Sequence, residues 1–162
     1  MPDADGPLIV SSPVRGTALS LETVPDPVFS QGMAGPGVAV HPEPGQEGGQ
    51  EGIQEAVAPI DGTLVKLHPH AFVLMAPDRH RGVLVHLGID TVELKGEGFE
   101  LLLEEGAKVT AGTPVVRWSP GSVAARGLPA VVPVVALDAA PGALTGVADG
   151  GVEAGGPLFT WS

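Results

Sequence analysis

The stretch Arg81-Gly82-Val83-Leu84-Val85-His86-Leu87-Gly88-Ile89-Asp90-Thr91-Val92-Glu93-Leu94-Lys95-Gly96-Glu97-Gly98-Phe99 alternates through its first half. Val83, Val85 and Leu87 fall on one face of a strand, and Leu84, His86 and Gly88 on the other. An imidazole therefore stands beside a glycine. The missing Cβ leaves room either for the surface of a second protein or for the ring to pack against bare backbone. The alternation breaks at Ile89-Asp90 and resumes, with Val92 and Leu94 on one face and Thr91, Glu93 and Lys95 on the other. This predicts a strand, a turn and a second strand.

Upstream, His70-Ala71-Phe72-Val73-Leu74-Met75 reads as a strand with His70, Phe72 and Leu74 on one face. Asp78-Arg79-His80-Arg81-Gly82 looks like a hairpin turn feeding the His86 strand, centred near residues 77–81, with His80 a turn residue. Antiparallel pairing then makes His70 and His86 cross-strand neighbours. The register matters, because a slip of one residue puts the two rings on opposite faces.

Further out, two units each occur twice. Ser12-Pro13-Val14-Arg15-Gly16-Thr17-Ala18-Leu19-Ser20-Leu21 has a counterpart in Ala58-Pro59-Ile60-Asp61-Gly62-Thr63-Leu64-Val65-Lys66-Leu67, with Pro, Gly, Thr and Leu in register. Gly106-Ala107-Lys108-Val109-Thr110-Ala111-Gly112-Thr113-Pro114-Val115 is echoed by Asp149-Gly150-Gly151-Val152-Glu153-Ala154-Gly155-Gly156-Pro157-Leu158. Each has the form of a tight turn, a short strand and a second turn. The pattern predicts an all-β antiparallel sandwich with internal duplication, its two half-sandwiches packed face to face.

Other elements read more coarsely. Leu8-Ile9-Val10 and Val115-Val116-Arg117-Trp118 are expected as short strands, and the chain from Glu22 to Val57 as mostly loop. Glu100 to Glu105 reads as a helical turn or a strand end, and Val123-Ala124-Ala125 as one turn of helix. In Val131-Val132-Pro133-Val134-Val135-Ala136-Leu137, Pro133 cannot donate to a ladder and points to an edge or a bulge. His41 opens a polar, glycine-rich excursion to Gly52 that is expected to lie far from any chemistry.

A chain of 162 residues with 43% hydrophobic and 17% charged residues suits one domain, placed over 8–162 after a disordered lead at 1–7. Gly 24 and Pro 17 make up about a quarter of it and punctuate short apolar runs, as in a turn-rich β protein. With no cysteine there is neither a disulfide framework nor a thiolate nucleophile, so any cysteine in the chemistry belongs to a partner. The net charge of -11 argues against a nucleic-acid partner and for a basic protein partner. The acidic start does not read as a signal peptide, and no segment approaches the roughly 20 apolar residues that span a bilayer. The cytoplasm is the expected location.

Taken by themselves, the two histidines leave a structural and a chemical reading open. A longer match decides between them: His86-Leu87-Gly88-Ile89-Asp90-Thr91-Val92-Glu93-Leu94-Lys95-Gly96-Glu97-Gly98-Phe99 resembles the signature of the glucose-type enzyme IIA family of the bacterial sugar phosphotransferase system. Asp26-Pro27-Val28-Phe29-Ser30-Gln31-Gly32-Met33-Ala34-Gly35-Pro36-Gly37-Val38-Ala39-Val40 is similar to the family's early loop. Ala58-Pro59-Ile60-Asp61-Gly62-Thr63 is similar to its following strand entry. The likeness runs from about Gly16 to the C-terminus.

The resemblance implies a duplicated hybrid β-sandwich and a phosphohistidine carrier that needs no cofactor. In that family the histidine at the position of His86 is phosphorylated by the histidine-containing phosphocarrier protein and passes the group to a cysteine of a IIB domain. His70 falls at the second active-site histidine, with the physical task of donating to phosphoryl oxygens during transfer. Phe29, Phe72, Leu87 and Ile89 are expected as an apolar docking rim, although Phe29 reads equally well as ordinary packing. Asp90 is expected as a turn anchor or a contact for a basic partner. The chain departs from the family at His68, where a small hydroxyl residue is usual, and at Pro69. An imidazole at His68 can donate a comparable hydrogen bond, and whether it takes over the role of the hydroxyl is not legible.

Rival readings differ in class. Regulatory binding to permeases or sugar kinases in the unphosphorylated state is the alternative function that the resemblance carries. A tight intrinsic zinc site is not expected, although zinc shared at a partner interface stays open. A zinc peptidase lacks its His-x-His and His-x-x-x-Asp spacing, and a biotinyl or lipoyl carrier lacks a displayed lysine. A monomer is expected. The sugar served, whether glucose, N-acetylglucosamine or a β-glucoside, is not legible.

Overall fold

The computed structural model describes residues 6–42 and 53–161. Most of the expected lead, and the excursion from residue 43 to residue 52, lie outside these described residues. The strands are β1 Leu8–Ser11, β2 Gly16–Ser20, β3 Gly37–Pro42, β4 Gln54–Val57, β5 Gly62–His68, β6 Ala71–Met75 and β7 Gly82–His86. They continue with β8 Phe99–Leu101, β9 Lys108–Val109, β10 Pro114–Trp118, β11 Val132–Ala136, β12 Leu144–Thr145, β13 Gly150–Val152 and β14 Pro157–Trp161. Two short helices, α1 Pro27–Ser30 and α2 Pro120–Ala125, interrupt them.

The expected all-β antiparallel sandwich is what forms. One eight-stranded sheet runs β13-β2-β3-β11-β7-β6-β5-β9, and two three-stranded sheets run β1-β14-β12 and β4-β10-β8. All three feed one core, in which Val10, Phe159, Val116 and Trp118 of the small sheets meet Val38, Leu64, Phe72, Leu74, Val83, Val85 and Val134 of the large one. A smaller apolar cluster, with Phe29, Ala39, Ile89 and Val135, lies apart from this core.

The duplication holds down to single pairs. Gly16 pairs with Val152 and Thr17 with Gly151, just as Gly62 pairs with Val109 and Thr63 with Lys108. Leu8 opposite Trp161 and Ser11 opposite Pro157 match Gln54 opposite Trp118 and Val57 opposite Pro114. The crossed bonds Ser11 N–H to the Pro59 carbonyl (2.8 Å) and Val57 N–H to the Pro13 carbonyl (2.9 Å) exchange the two halves. The halves do not simply face each other as expected: in the large sheet they meet edge to edge, where β11 pairs with β7.

Three other expectations need correction. The segment read as loop contains β3, because Val38, Ala39 and Val40 are buried on both faces and so show no alternation. The second strand expected at Thr91-Lys95 is a 3₁₀ turn, Thr91–Leu94, flanked by left-handed Asp90 (φ 61°) and Lys95 (φ 54°). Pro133 lies in a central strand, not at an edge. The ladder from β11 to β7 spans only Val134, Val135 and Ala136, so Pro133 is asked for no pairing on that side.

Candidate active site

β7 ends at His86 beside the start of β6. Their turn is fastened by Asp78, whose carboxylate accepts from the His80 N–H (2.7 Å) and the Arg81 N–H (3.1 Å) and pairs with the Arg81 guanidinium. Burial pulls the Asp78 carboxyl up, but the His80 and Arg81 N–H groups and the Arg81 charge outweigh it, and the net shift is below the ordinary value. Arg81 also donates to the Trp161 carbonyl (3.1 Å), which ties the hairpin to the last strand. His80 is a turn residue, as expected.

The register sets Ala71, not His70, opposite His86. His70 is not part of the strand at all. It belongs with Pro69 to the two-residue turn between β5 and β6, next to the closing pair His68–Ala71. Leaving the pleat frees its ring to come round, and the His70 and His86 rings meet edge-on with centroids 5.4 Å apart. The Leu87 N–H donates to the His70 carbonyl (2.7 Å), so the two histidines are held together through backbone as well.

The His86 ring packs on backbone, one of the two readings that Gly88 offered. Its Nδ1 lies 2.5 Å from the Gly88 carbonyl oxygen. A carbonyl only accepts, so Nδ1 carries the proton and Nε2 keeps its lone pair. Gly88 (φ 83°) is required for this turn, and an added Cβ would lie 2.7 Å from Thr91 Cγ2 and 2.9 Å from the Pro129 carbonyl oxygen. The space beside Gly88 is filled by the chain itself and is not open to a partner.

Burial holds the His86 pKa below its ordinary value. The Gly88 carbonyl and the charges of Asp26 and Asp90 push the other way without reversing it. His70 is also lowered, by burial first and then by repulsion from His86 and His68. Both rings are neutral at pH 7. His68 meets His70 as a ring stack, 5.7 Å between centroids and 24° between planes. Among the described residues no three His, Asp or Glu side chains converge as metal ligands.

The expected rim is only partly where the sequence put it. Phe29 is 6% exposed and packs in the smaller cluster, yet its ring lies 5.5 Å from that of His86, so it is both core and wall. Phe72 and Leu87 point into the main core at 1% and 0% exposure and cannot form a docking surface. Ile89 is likewise buried, beneath the site, whereas Asp90 is exposed. Among the exposed apolar side chains are Val28, on α1 next to Phe29, and Val92, on the turn after Asp90. Sequence reasoning passed over both, and passed over Asp26. Yet Asp-Pro is a readable helix start, and the Asp26 carboxylate caps α1 by accepting from the Val28 N–H (2.9 Å). A cavity of about 820 Å³ against β2, β3 and α1 shares Phe29 with this site and includes neither histidine.

A neutral imidazole with one nitrogen tied to backbone and the other left with its lone pair is equipped to take up a group and give it away. Residues 8–141 match the family described as phosphoenolpyruvate-dependent sugar phosphotransferase system, EIIA 1, and the chain belongs to that family. It is 37% identical over 139 residues to the glucose-specific EIIBCA component of Corynebacterium glutamicum, covering 84% of this chain and 19% of that protein. It is 40% identical over 114 residues to the glucose-specific EIIA component of Staphylococcus aureus, covering 69% and 63% of the two. The solved glucose permease IIA from Mycoplasma capricolum matches with a TM-score of 0.85 at 30% identity over 99% of each chain. The chain thus spans about a fifth of its fused relative, whose name joins an A component to B and C components. The family it matches is part of the phosphoenolpyruvate-dependent sugar phosphotransferase system. Among the described residues no helix is long and apolar enough to cross a membrane.

Proposed function

We propose that this chain takes a phosphoryl group on Nε2 of His86 from a histidine-containing phosphocarrier protein and passes it to the cysteine of a IIB domain. The observation that supports this reading most is the contact of His86 Nδ1 with the Gly88 carbonyl, which leaves Nε2 as the nucleophile. In the first transfer the phosphorus–nitrogen bond of the carrier breaks as the bond to Nε2 forms. In the second, a cysteine thiolate attacks phosphorus and Nε2 leaves with its electron pair.

His70 is the hydrogen-bond donor to the moving oxygens, and no lysine or arginine is needed to clamp them. Asp26 and Asp90 raise the energy of a bound anion, which keeps the group easy to release, and they suit a basic partner. Val28, Phe29, Val92 and Asp90 are the contact surface on this reading. The comparisons favour the carrier over the regulatory alternative.

Incubation with phosphoenolpyruvate, enzyme I and phosphocarrier, followed by mapping of the acid-labile phosphate, tests the assignment. His86→Gln is expected to take no label. His70→Gln is expected to load but to donate to the IIB cysteine about a hundredfold more slowly. Label on His70, or an undiminished signal from His86→Gln, overturns the reading.

A further inference from the structure

The groups that hold the two histidines come from one short stretch of backbone. The Leu87 N–H goes to the His70 carbonyl (2.7 Å), the Gly88 carbonyl to His86 Nδ1, and the Ile89 N–H to the Pro129 carbonyl (2.9 Å). Thr91 completes this set. It is fully buried, and its Oγ1 donates to the Leu87 carbonyl at 2.8 Å. Its methyl closes the space above Gly88. Both ends of one side chain therefore bear on the Leu87–Gly88 peptide.

We propose that Thr91 is a positioning residue that sets the tautomer of His86. Glycine turns freely about its backbone bonds, so a carbonyl carried by Gly88 keeps its aim only if the peptides on either side are fixed. The Ile89 N–H fixes one side and Thr91 fixes the other. Without the Thr91 hydroxyl the buried Leu87 carbonyl lacks its donor, and the peptide rotates to find another. The Gly88 carbonyl then swings off Nδ1. An imidazole without that acceptor places its proton largely on Nε2, which abolishes the lone pair needed for attack.

The other half of the duplication supplies a comparison. Ala136 stands there where Leu87 stands here, because Val134 and Val85 occupy matching places against Val38 and Phe72. The Ala136 carbonyl accepts instead from the backbone N–H of Ala139 (3.2 Å), an ordinary turn contact. A side-chain clamp at this point is thus peculiar to the half that carries the histidines.

The test uses the full chain, labelled with nitrogen-15, at a pH above about 6.5, where a neutral ring is the reference state. Two-bond nitrogen–proton correlations are expected to show a protonated Nδ1 and a bare Nε2 for His86 in the wild type. Thr91→Val keeps the shape and removes the hydroxyl. It is expected to give a mixed pattern and to lower the maximal rate of loading by about tenfold to a hundredfold at unchanged half-saturation by phosphocarrier. Thr91→Ser is expected to restore both. A wild-type nitrogen pattern in Thr91→Val, or a mixed pattern in Thr91→Ser, overturns the proposal. Should Thr91→Val fail to fold, Thr91→Ala, which lacks the hydroxyl without adding bulk, carries the same two outcomes. The kinetic arm rests on the carrier reading, whereas the nitrogen pattern does not. Wild-type protein that takes no label overturns that reading and leaves the spectrum to judge Thr91.

Discussion

Val135 stands in one half of the duplication where His86 stands in the other, and Pro36 stands where His70 does. The frame around the two positions is the same. Ala71 pairs with His86 as Gly37 pairs with Val135, and the Leu87 N–H to the His70 carbonyl (2.7 Å) repeats as the Ala136 N–H to the Pro36 carbonyl (2.8 Å). What differs is the connection leading into each. Between β5 and β6 it is the two-residue turn Pro69-His70, which leaves the strand end bare. Between β2 and β3 it is the longer stretch 21–36, which carries α1 and brings Phe29 into one cluster with Val135. The same insertion presents Phe29 to His86. The equivalent position in one copy is thus closed, and the connection that closes it walls the other. A backbone frame therefore sets where a site can be, while loop length decides whether it stays accessible.

The largest expected effect comes from forcing the copies to be alike. Val135→His, in a His86→Gln background, is expected to stay unlabelled, because Val135 is 0% exposed. It should also lower stability by about 4 kcal/mol in urea unfolding, through overpacking and an unpaired buried ring nitrogen. Label at residue 135 breaks the comparison outright.

A smaller, symmetric effect sharpens it. Added Cβ atoms at Gly16 and Gly62 both run into the backbone of the neighbouring strand, at the His41 and Met75 carbonyls respectively. Gly16→Ala and Gly62→Ala are each expected to cost about 2–3 kcal/mol. Midpoints that differ widely between the two would show that the copies do not share their packing.

The pH dependence is smaller still and one-sided. His86 and His70 have folded pKa values below the ordinary 6.5, so the unfolded chain binds more protons just under that pH. Their unfavourable contribution is absent above pH 6.5 and grows as pH falls through the folded values. Stability should drop with acid more steeply in the wild type than in the His70→Gln, His86→Gln double variant, and equal slopes between pH 5 and 6.5 would remove the two rings as the cause.

What the sequence showed and what it hid divide along physical lines. The alternation of Val83, Val85 and Leu87 against Leu84 and His86 was legible because one face of β7 meets the main core and the other does not. That same alternation placed Leu87 on the core face, and counting it in a docking rim went against the pattern. Phe72 erred differently: its face was read together with His70, but His70 had already left the strand. β3 was hidden because burial on both faces erases periodicity. The turn after Asp90 was hidden because left-handed Asp90 and Lys95 carry no signal as clear as glycine. The duplication was legible for a complementary reason, since Gly16 and Gly62 are required by close backbone approach.

The pairing of β1 with β14 sets Leu8 against Trp161, so the first and last strands of the described chain are neighbours. That ladder closes a loop of nearly the whole sequence, and ladders that span long loops form slowly, because the entropy of closure is spent before the contacts return it. A chain emerging in order completes β4 to β10 with every partner except β11, which pairs with β7, while β1 waits for the last strand. The histidine-bearing half can therefore reach its internal pairing before the half that shields it, and the slow step of folding is expected to lie at the seam between the ends.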